Sequence, residues 1–414
     1  MSLPHKIGDL QLLRGVAIAL VVATHLPLTH ALAARLPAGV WHPGWLGVDL
    51  FFVVSGYVIT RSLVRDRFEP LAFVVRRLFR LTPPLAVLVG LTVGLSLTAE
   101  RWAGPGLPAA GWVPPREEVG WRAAAAVGGV YTLAKPATGG SLLGVVWSLA
   151  VEDQFYAAVA VACVVGALAG GRVAPRLLLA LAGGVYLLLT VMRLQFLARG
   201  HISVTSSPLA VYLFFLRFDL LAAGVLVGLF DHRFGPRLAP RVARVGPYLA
   251  PLLVAAPLAL ATVTGSVVTL SRLTQGLLLV TAGGCFAGLV LVAAHQAAVP
   301  GWGRGRLYRW ATALGDRSYS VYLFHGPAVL AGVALSGGES EGARLTQAAA
   351  AAVVLAATTE LVYRGLEKPL TSRGRRVADR LRVRPPADQP PRNHRMSDQP
   401  GSNAGPLAVA VGSS

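Results

Sequence analysis

An arginine and a histidine stand eleven residues apart in "RGVAIALVVATH" (14–25), inside a run that is otherwise apolar. On an α-helix that interval is about three turns, so Arg14 and His25 project from one face about 16 Å apart along the axis. The next apolar stretch, "GWLGVDLFFVVSGYVITR" (44–61), carries Asp49 and Ser55 and ends on Arg61. In "WSLAVEDQFY" (147–156), Glu152 and Tyr156 lie one turn apart on a shared face while Asp153 points elsewhere. Arg217 in "LFFLRFDLLAAG" and His325 in "SYSVYLFHGP" are further ionisable groups set in apolar sequence.

A histidine beside a carboxylate is equipped to take a proton from a hydroxyl, because the carboxylate fixes the imidazole tautomer and steadies the imidazolium. His25 is the candidate base, with Asp49 or Glu152 as its partner. Arg14, Arg61 and the Arg76, Arg77 and Arg80 of "RRLFR" form a basic set suited to phosphate oxygens. Ser55, Tyr156, Arg217 and His325 are candidate substrate contacts.

Plainer uses compete with each of these. Arg14 can serve as a snorkelling anchor, the arginine cluster as a determinant of topology, and Asp49 as a charge at a helix N-terminus. Arg217 can pair with an acid such as Glu152, and Ser55 with Gly56 can let helices approach closely. No zinc-ligand spacing, P-loop or G-x-S-x-G elbow is present, which leaves metal, nucleotide-hydrolysis and hydrolase readings without support.

The elements that must position these groups are membrane helices. Of 414 residues 54% are hydrophobic and only 14% charged, and the mean hydropathy is +0.59. Such a chain is far more apolar than a soluble domain. Apolar runs of spanning length fall near 10–29, 44–63, 81–97, 144–169, 177–195, 208–229, 247–266, 274–296, 318–336 and 345–363. The runs are continuous rather than alternating, so an all-α polytopic bundle of about ten helices is expected and a barrel is not.

Lysine and arginine total 38 against 19 acidic residues. In a soluble chain that excess would suggest nucleic acid; here its placement sets topology, and no nucleic-acid partner is expected. Arginines concentrate after every second run, which puts both termini in the cytoplasm and the long 98–143 connection outside. The expected organisation is one membrane domain over 1–370 and a Pro-, Gly- and polar-rich disordered cytoplasmic tail over 371–414. A secretory signal over 1–33 is the weaker reading, because Arg14 interrupts its apolar core and many spans follow. Cys163 and Cys285 both lie within spans at different depths, so two buried thiols are expected.

Two function classes fit intramembrane His, Asp, Glu and Arg: an enzyme, or a transporter with a proton relay. A transporter should show internal repeats with broken helices in matching halves, and no such repeat is visible.

The order of these stretches resembles the membrane-bound acyltransferase 3 family over residues 10–370. "LQLLRGVAIALVVATH" is similar to the family's opening helix and "GVDLFFVVSGYVIT" to its second-helix signature; "RRLFRLTPP", "WSLAVEDQFY", "RFDLLAAGVLVG", "SYSVYLFHGP" and "YRGLEKPL" follow in the family's order. The resemblance implies a plasma-membrane, multi-pass enzyme that moves an acyl group from cytoplasmic acyl-coenzyme A to a hydroxyl, as in O-acetylation. The acceptor would be a sugar of a cell-surface glycan or of a glycosylated natural product such as a macrolide. It implies that His25 is the essential catalytic residue and that Arg14, with Arg76, Arg77 or Arg80, serves the donor, which is acetyl-CoA or a short or branched acyl-CoA, with no metal.

Direct attack and a covalent acyl-histidine are both open routes. Expected partners are the donor, the acceptor and the bilayer, with a homodimer left open. The chain departs from many relatives at Asp153, where they carry a second glutamate, and at Gly326, where they carry a tryptophan. The first change keeps the charge, and the second enlarges the space beside His325.

Overall fold

The computed structural model describes residues 7–26, 44–102, 112–131, 142–169, 174–199, 217–264, 272–336, 338 and 340–381. Their regular elements are helices: α1 (Gly8–His25), α2 (Gly44–Arg65), α3 (Pro70–Trp102), α4 (Arg116–Val127), α5 (Val146–Leu168) and α6 (Ala174–Arg199), then α7 (Phe218–Thr264), α8 (Arg272–Ala294), α9 (Arg306–Asp316), α10 (Ser318–Ser336), α11 (Glu341–Val362) and α12 (Lys368–Leu381). A π-helical turn, Tyr363–Glu367, joins the last two. Helices are the form an apolar chain must take in lipid, since each satisfies its own backbone hydrogen bonds.

Among the described residues seven helical stretches are long and apolar enough to cross a membrane: Leu46–Arg65, Pro70–Thr98, Val146–Leu168, Pro175–Met192, Phe218–Leu260, Ser318–Leu335 and Glu341–Leu381. The difference from about ten has three sources. Asp9, Gln11, Arg14 and His25 dilute the apolar content of α1, and residues 27–29 of its expected span lie outside the described residues. In α8 the apolar stretch among the residues with described side chains is Val280–Ala294. The runs at 208–229 and 247–266 are not separated by a loop, because α7 continues through both; residues 208–216 lie outside the described residues. Five prolines, Pro236, Pro240, Pro247, Pro251 and Pro257, are accommodated inside α7. At 47 residues α7 is about 70 Å long, more than twice a hydrocarbon core of about 30 Å.

The domain boundary was expected at 371. It falls inside α12, which runs to Leu381 and packs on α3 with Gly374 against Phe79; residues 382–414 lie outside the described residues. The segment between 98 and 143 contains the twelve-residue α4, too short to span.

Helix α2 is central and α6 peripheral: 61% of the α2 span is buried within the protein and 11% of that of α6. Tyr57, Phe52, Ile59 and Leu63 of α2 are almost wholly enclosed. Two glycine pairs allow close approach. A Cβ on Gly56 would strike the Leu221 carbonyl of α7, and one on Gly224 the Val53 carbonyl of α2. Gly15 of α1 and Gly315 of α9 meet in the same way against Ala311 and Gln11. Small residues at such crossings bring backbones together and raise packing contact.

Polar clamps fix the ends of these elements. Asp9, fully buried, accepts from the backbone N–H groups of Ala298 (3.0 Å) and Val299 (3.3 Å) and from Tyr308 Oη (2.7 Å), with Arg304 beside it. Burial, then the hydrogen bond and charge of Asp9, push the Tyr308 phenol up to about 12. On the far side of α2, Tyr57 donates to Asp231 (2.6 Å) and His295 Nε2 donates to the same carboxylate (2.9 Å), tying α2, α7 and α8 together. Cys163 is buried and Cys285 half-buried, and both are free thiols.

Candidate active site

Five helices, α1, α2, α3, α5 and α10, line a cleft. Arg14, Arg77 and Arg80 line it together with one carboxylate, Glu152. The opposite wall is apolar, built from Val48, Phe51, Phe52, Val54 and Val58 of α2. A cleft with excess positive charge and an apolar side suits a ligand that is anionic at one end and apolar along its length.

The arginines are not equally committed. Arg14 donates to Ser318 Oγ at 2.8 Å. Arg77 stacks over the Tyr156 ring at 4.6 Å and lies 3.3 Å from its hydroxyl. Arg80 makes no hydrogen bond or ion pair among the described residues, which leaves its guanidinium donors directed at the cleft. Arg76 is turned away and pairs with buried Asp66, and Arg61 is exposed and lies outside the cleft lining. The turn between α2 and α3 explains Arg76: Arg67 and Phe68 take left-handed φ values of 54° and 63°, folding Asp66 back onto the start of α3.

Glu152 is held on both oxygens. Ser55 donates to Oε1 and Tyr156 to Oε2, each at 2.7 Å. Glu152, Tyr156 and Arg77 therefore form a chain along the cleft wall. Asp49 is buried and ion-paired with Arg217, which adopts φ 33° at the residue before α7. The structure thus gathers Arg14, Ser55, Arg77, Arg80, Glu152 and Tyr156 in one cleft and sets the Asp49–Arg217 pair elsewhere in the bundle.

His25 ends α1 as an exposed side chain and does not line the cleft; residues 27–43, which follow it, lie outside the described residues. Its ring sits edge-on to His325, 4.8 Å between centroids. His325 in turn is 5.7 Å from Tyr322, a residue of the cleft wall.

The tautomers follow from the partners. His25 Nδ1 is 2.8 Å from the Val21 carbonyl and His325 Nδ1 is 2.6 Å from the Tyr322 carbonyl. A carbonyl only accepts, so each Nδ1 carries the proton and each Nε2 a lone pair.

Several cleft residues were not singled out in the sequence. Ser318, Tyr319 and Tyr322 line the cleft; Tyr322 donates to the Val145 carbonyl (3.0 Å) and so receives a hydrogen bond from Ser148 (2.6 Å). The signal was present in "SYSVYLFH": positions 318, 322 and 325 are i, i+4 and i+7, one stripe of a helix. Glu367 of "YRGLEKPL" is also buried, accepting from Ser320 at 2.6 Å. The π-helical turn that shifts its register is of a kind frequent at functional sites.

The chain is 45% identical over 84 residues to BcsY of Komagataeibacter xylinus, named as a membrane-bound transacylase; the match covers 20% of this chain and 19% of that protein. No solved structure matches the chain. Residues 7–359 match the model of the acyltransferase 3 family, described as an acyltransferase domain, and that span contains every helix of the cleft. The chain is a multi-pass membrane protein of the acyltransferase 3 family.

Proposed function

We propose that the protein is a membrane O-acyltransferase that moves an acyl group from cytoplasmic acyl-coenzyme A to a sugar hydroxyl, on a cell-surface glycan or a glycosylated natural product such as a macrolide. The observation that carries this reading is the cleft where three arginines face one carboxylate, connected through Tyr322 to the His25–His325 pair. The membrane is the cytoplasmic one, with the arginine mouth on the cytoplasmic side.

Arg14, Arg77 and Arg80 hold the donor's phosphates by charge-assisted hydrogen bonds. The pantetheine arm runs the roughly 16 Å of α1 from Arg14 toward His25. His25 Nε2 takes the proton of the acceptor hydroxyl as its oxygen attacks the thioester carbon. The C–O bond forms, the C–S bond breaks, and the thiolate leaves with the proton that His25 held. Glu152, engaged by Ser55 and Tyr156, acts as a positioning residue for Arg77 rather than as the base. Asp49 acts likewise through Arg217, anchoring the start of α7.

The test is product formation by purified protein in lipid nanodiscs, with acetyl- and branched-chain acyl-coenzyme A and a panel of glycosylated acceptors. Expected are an acyl ester and free thiol in equal amounts, with His25→Ala slower by about 10² or more. A folded His25→Ala protein with the wild-type rate would contradict the mechanism. A donor that binds yet is never consumed would favour a transporter.

A further inference from the structure

A second cavity lies between α1, α9, α10 and α11. Its walls are apolar, among them Val22, Leu314, Val321, Val329 and Leu355. On its rim Trp310 is exposed, as are Ala352 and Ala356 of the Glu341–Leu381 stretch, which is long and apolar enough to cross a membrane. Apart from the Arg317–Glu360 pair at one end, two polar side chains interrupt the apolar lining, His325 and Thr359, through Nε2 and Oγ1. Both residues are buried, 1% and 4% exposed, and neither atom has a hydrogen-bond partner among the described residues. Buried polar atoms are nearly always satisfied, so a groove with two orphaned ones calls for a ligand that supplies the missing bonds.

The chemistry of that ligand can be read from the atoms. His325 Nε2 has no proton, because Nδ1 carries it to the Tyr322 carbonyl, so the ligand must donate. A hydroxyl does so without the cost of burying a charge. The Arg317–Glu360 pair (2.6 and 3.1 Å) closes the other end of the groove. From Arg317 to His325 is eight residues, about 12 Å of apolar wall. The groove and the donor cleft share α10 and use adjacent faces of it, and the His325 ring, against both Tyr322 and His25, stands where they meet.

We propose that this groove is the bilayer-side entrance for the acyl acceptor, a glycosylated amphiphile whose hydrocarbon body lies along α10 and α11 while one sugar hydroxyl donates to His325 Nε2. A neighbouring hydroxyl of the same sugar then faces His25 and is the one acylated. This rests on His25 as the transferring base. It adds that the acceptor arrives from lipid rather than from water, and that His325 is the residue that selects a polyol head.

The experiment uses the full chain in phosphatidylcholine nanodiscs and a diazirine-bearing dodecyl glucoside as photolabel. Ala352→Trp and Ala356→Trp, both at exposed positions on the rim, fill the groove without touching the cleft. Label is expected on the α10 and α11 peptides that line the groove, displaced by unlabelled dodecyl glucoside but not by glucose. Either tryptophan variant should lower it about tenfold, a loss of about 1.4 kcal/mol, while acyl-coenzyme A binding stays at the wild-type level and so reports a folded protein. Label spread evenly over lipid-facing helices, or undiminished in both variants, would overturn the proposal. Groove labelling without acyl transfer to any acceptor would sink the enzymatic reading and leave the amphiphile site standing. Equal transfer to methyl and dodecyl glucoside with no groove label would do the reverse.

Discussion

Arg14, Arg76, Arg77 and Arg80 show how residue type and residue role diverge. In the sequence the three arginines of "RRLFR" are equivalent; in the fold Arg77 and Arg80 reach the cleft and Arg76 neutralises Asp66. No spacing rule reveals this, because it depends on the left-handed turn at Arg67 and Phe68. The consequence is a contrast between two alanine variants. Arg80→Ala should raise the donor KM roughly 10- to 150-fold with little change in thermal stability, as loss of a charge-assisted contact worth about 1.5–3 kcal/mol requires. Arg76→Ala should instead lower stability, because it leaves Asp66 buried without that partner.

The same logic applies to the Asp49–Arg217 pair. The sequence allowed Asp49 as a partner of His25 and Arg217 as a partner of Glu152; the two instead pair with each other. Removing one member of a buried pair strands the other, at a cost of about 3–5 kcal/mol. Asp49→Asn should therefore unfold at a markedly lower temperature in a detergent melt. Unchanged melting would show the pair to be incidental.

At the scale of the helix, length and polarity decided what was legible. Runs at 44–63, 144–169 and 318–336 correspond closely to α2, α5 and α10, because each is long and apolar apart from one to two ionisable residues. Helix α7 was not legible as one element: its charged middle, Asp231 to Arg244, reads as a loop, and its prolines read as breaks. Helix α9 was missed because it is short and amphipathic, with Leu307 and Trp310 exposed. The glycine crossings were visible only as small residues, without their partners. Gly56→Leu should separate α2 from α7, because the Leu221 carbonyl occupies the space. Overpacking of this kind typically costs about 1–3 kcal/mol, and carbonyl contact should place it at the upper end, read as a lower melting temperature and loss of donor binding. Gly284→Ala on α8, where a Cβ meets nothing within 4 Å, is the control and should melt as wild type.

At the scale of the molecule, two cavities converge on one pair of histidines. The cleft reaches them through Tyr322 on its basic, hydroxyl-lined side, and the groove through the apolar flank of α10 and α11. The Arg14-to-His25 interval, read from sequence as one helix face, gives the distance over which a donor would be stretched. What the sequence left hidden was the second histidine's place: His325 is about three hundred residues from His25, and only the packing of α10 on α1 brings the rings to 4.8 Å.

The measurement that tests this account most directly is the steady-state rate of thiol release from acyl-coenzyme A, at varied donor, for wild type, His25→Ala and Arg14→Ala in nanodiscs with an acylatable glycoside. The account predicts a split. His25→Ala should lose kcat by about 10²–10⁴ with donor KM little changed, and Arg14→Ala should raise donor KM about tenfold, or about 1.4 kcal/mol, with kcat largely kept. If the two variants fail in the same parameter, or if a folded His25→Ala releases thiol and product at the wild-type rate, the division of labour along α1 is wrong.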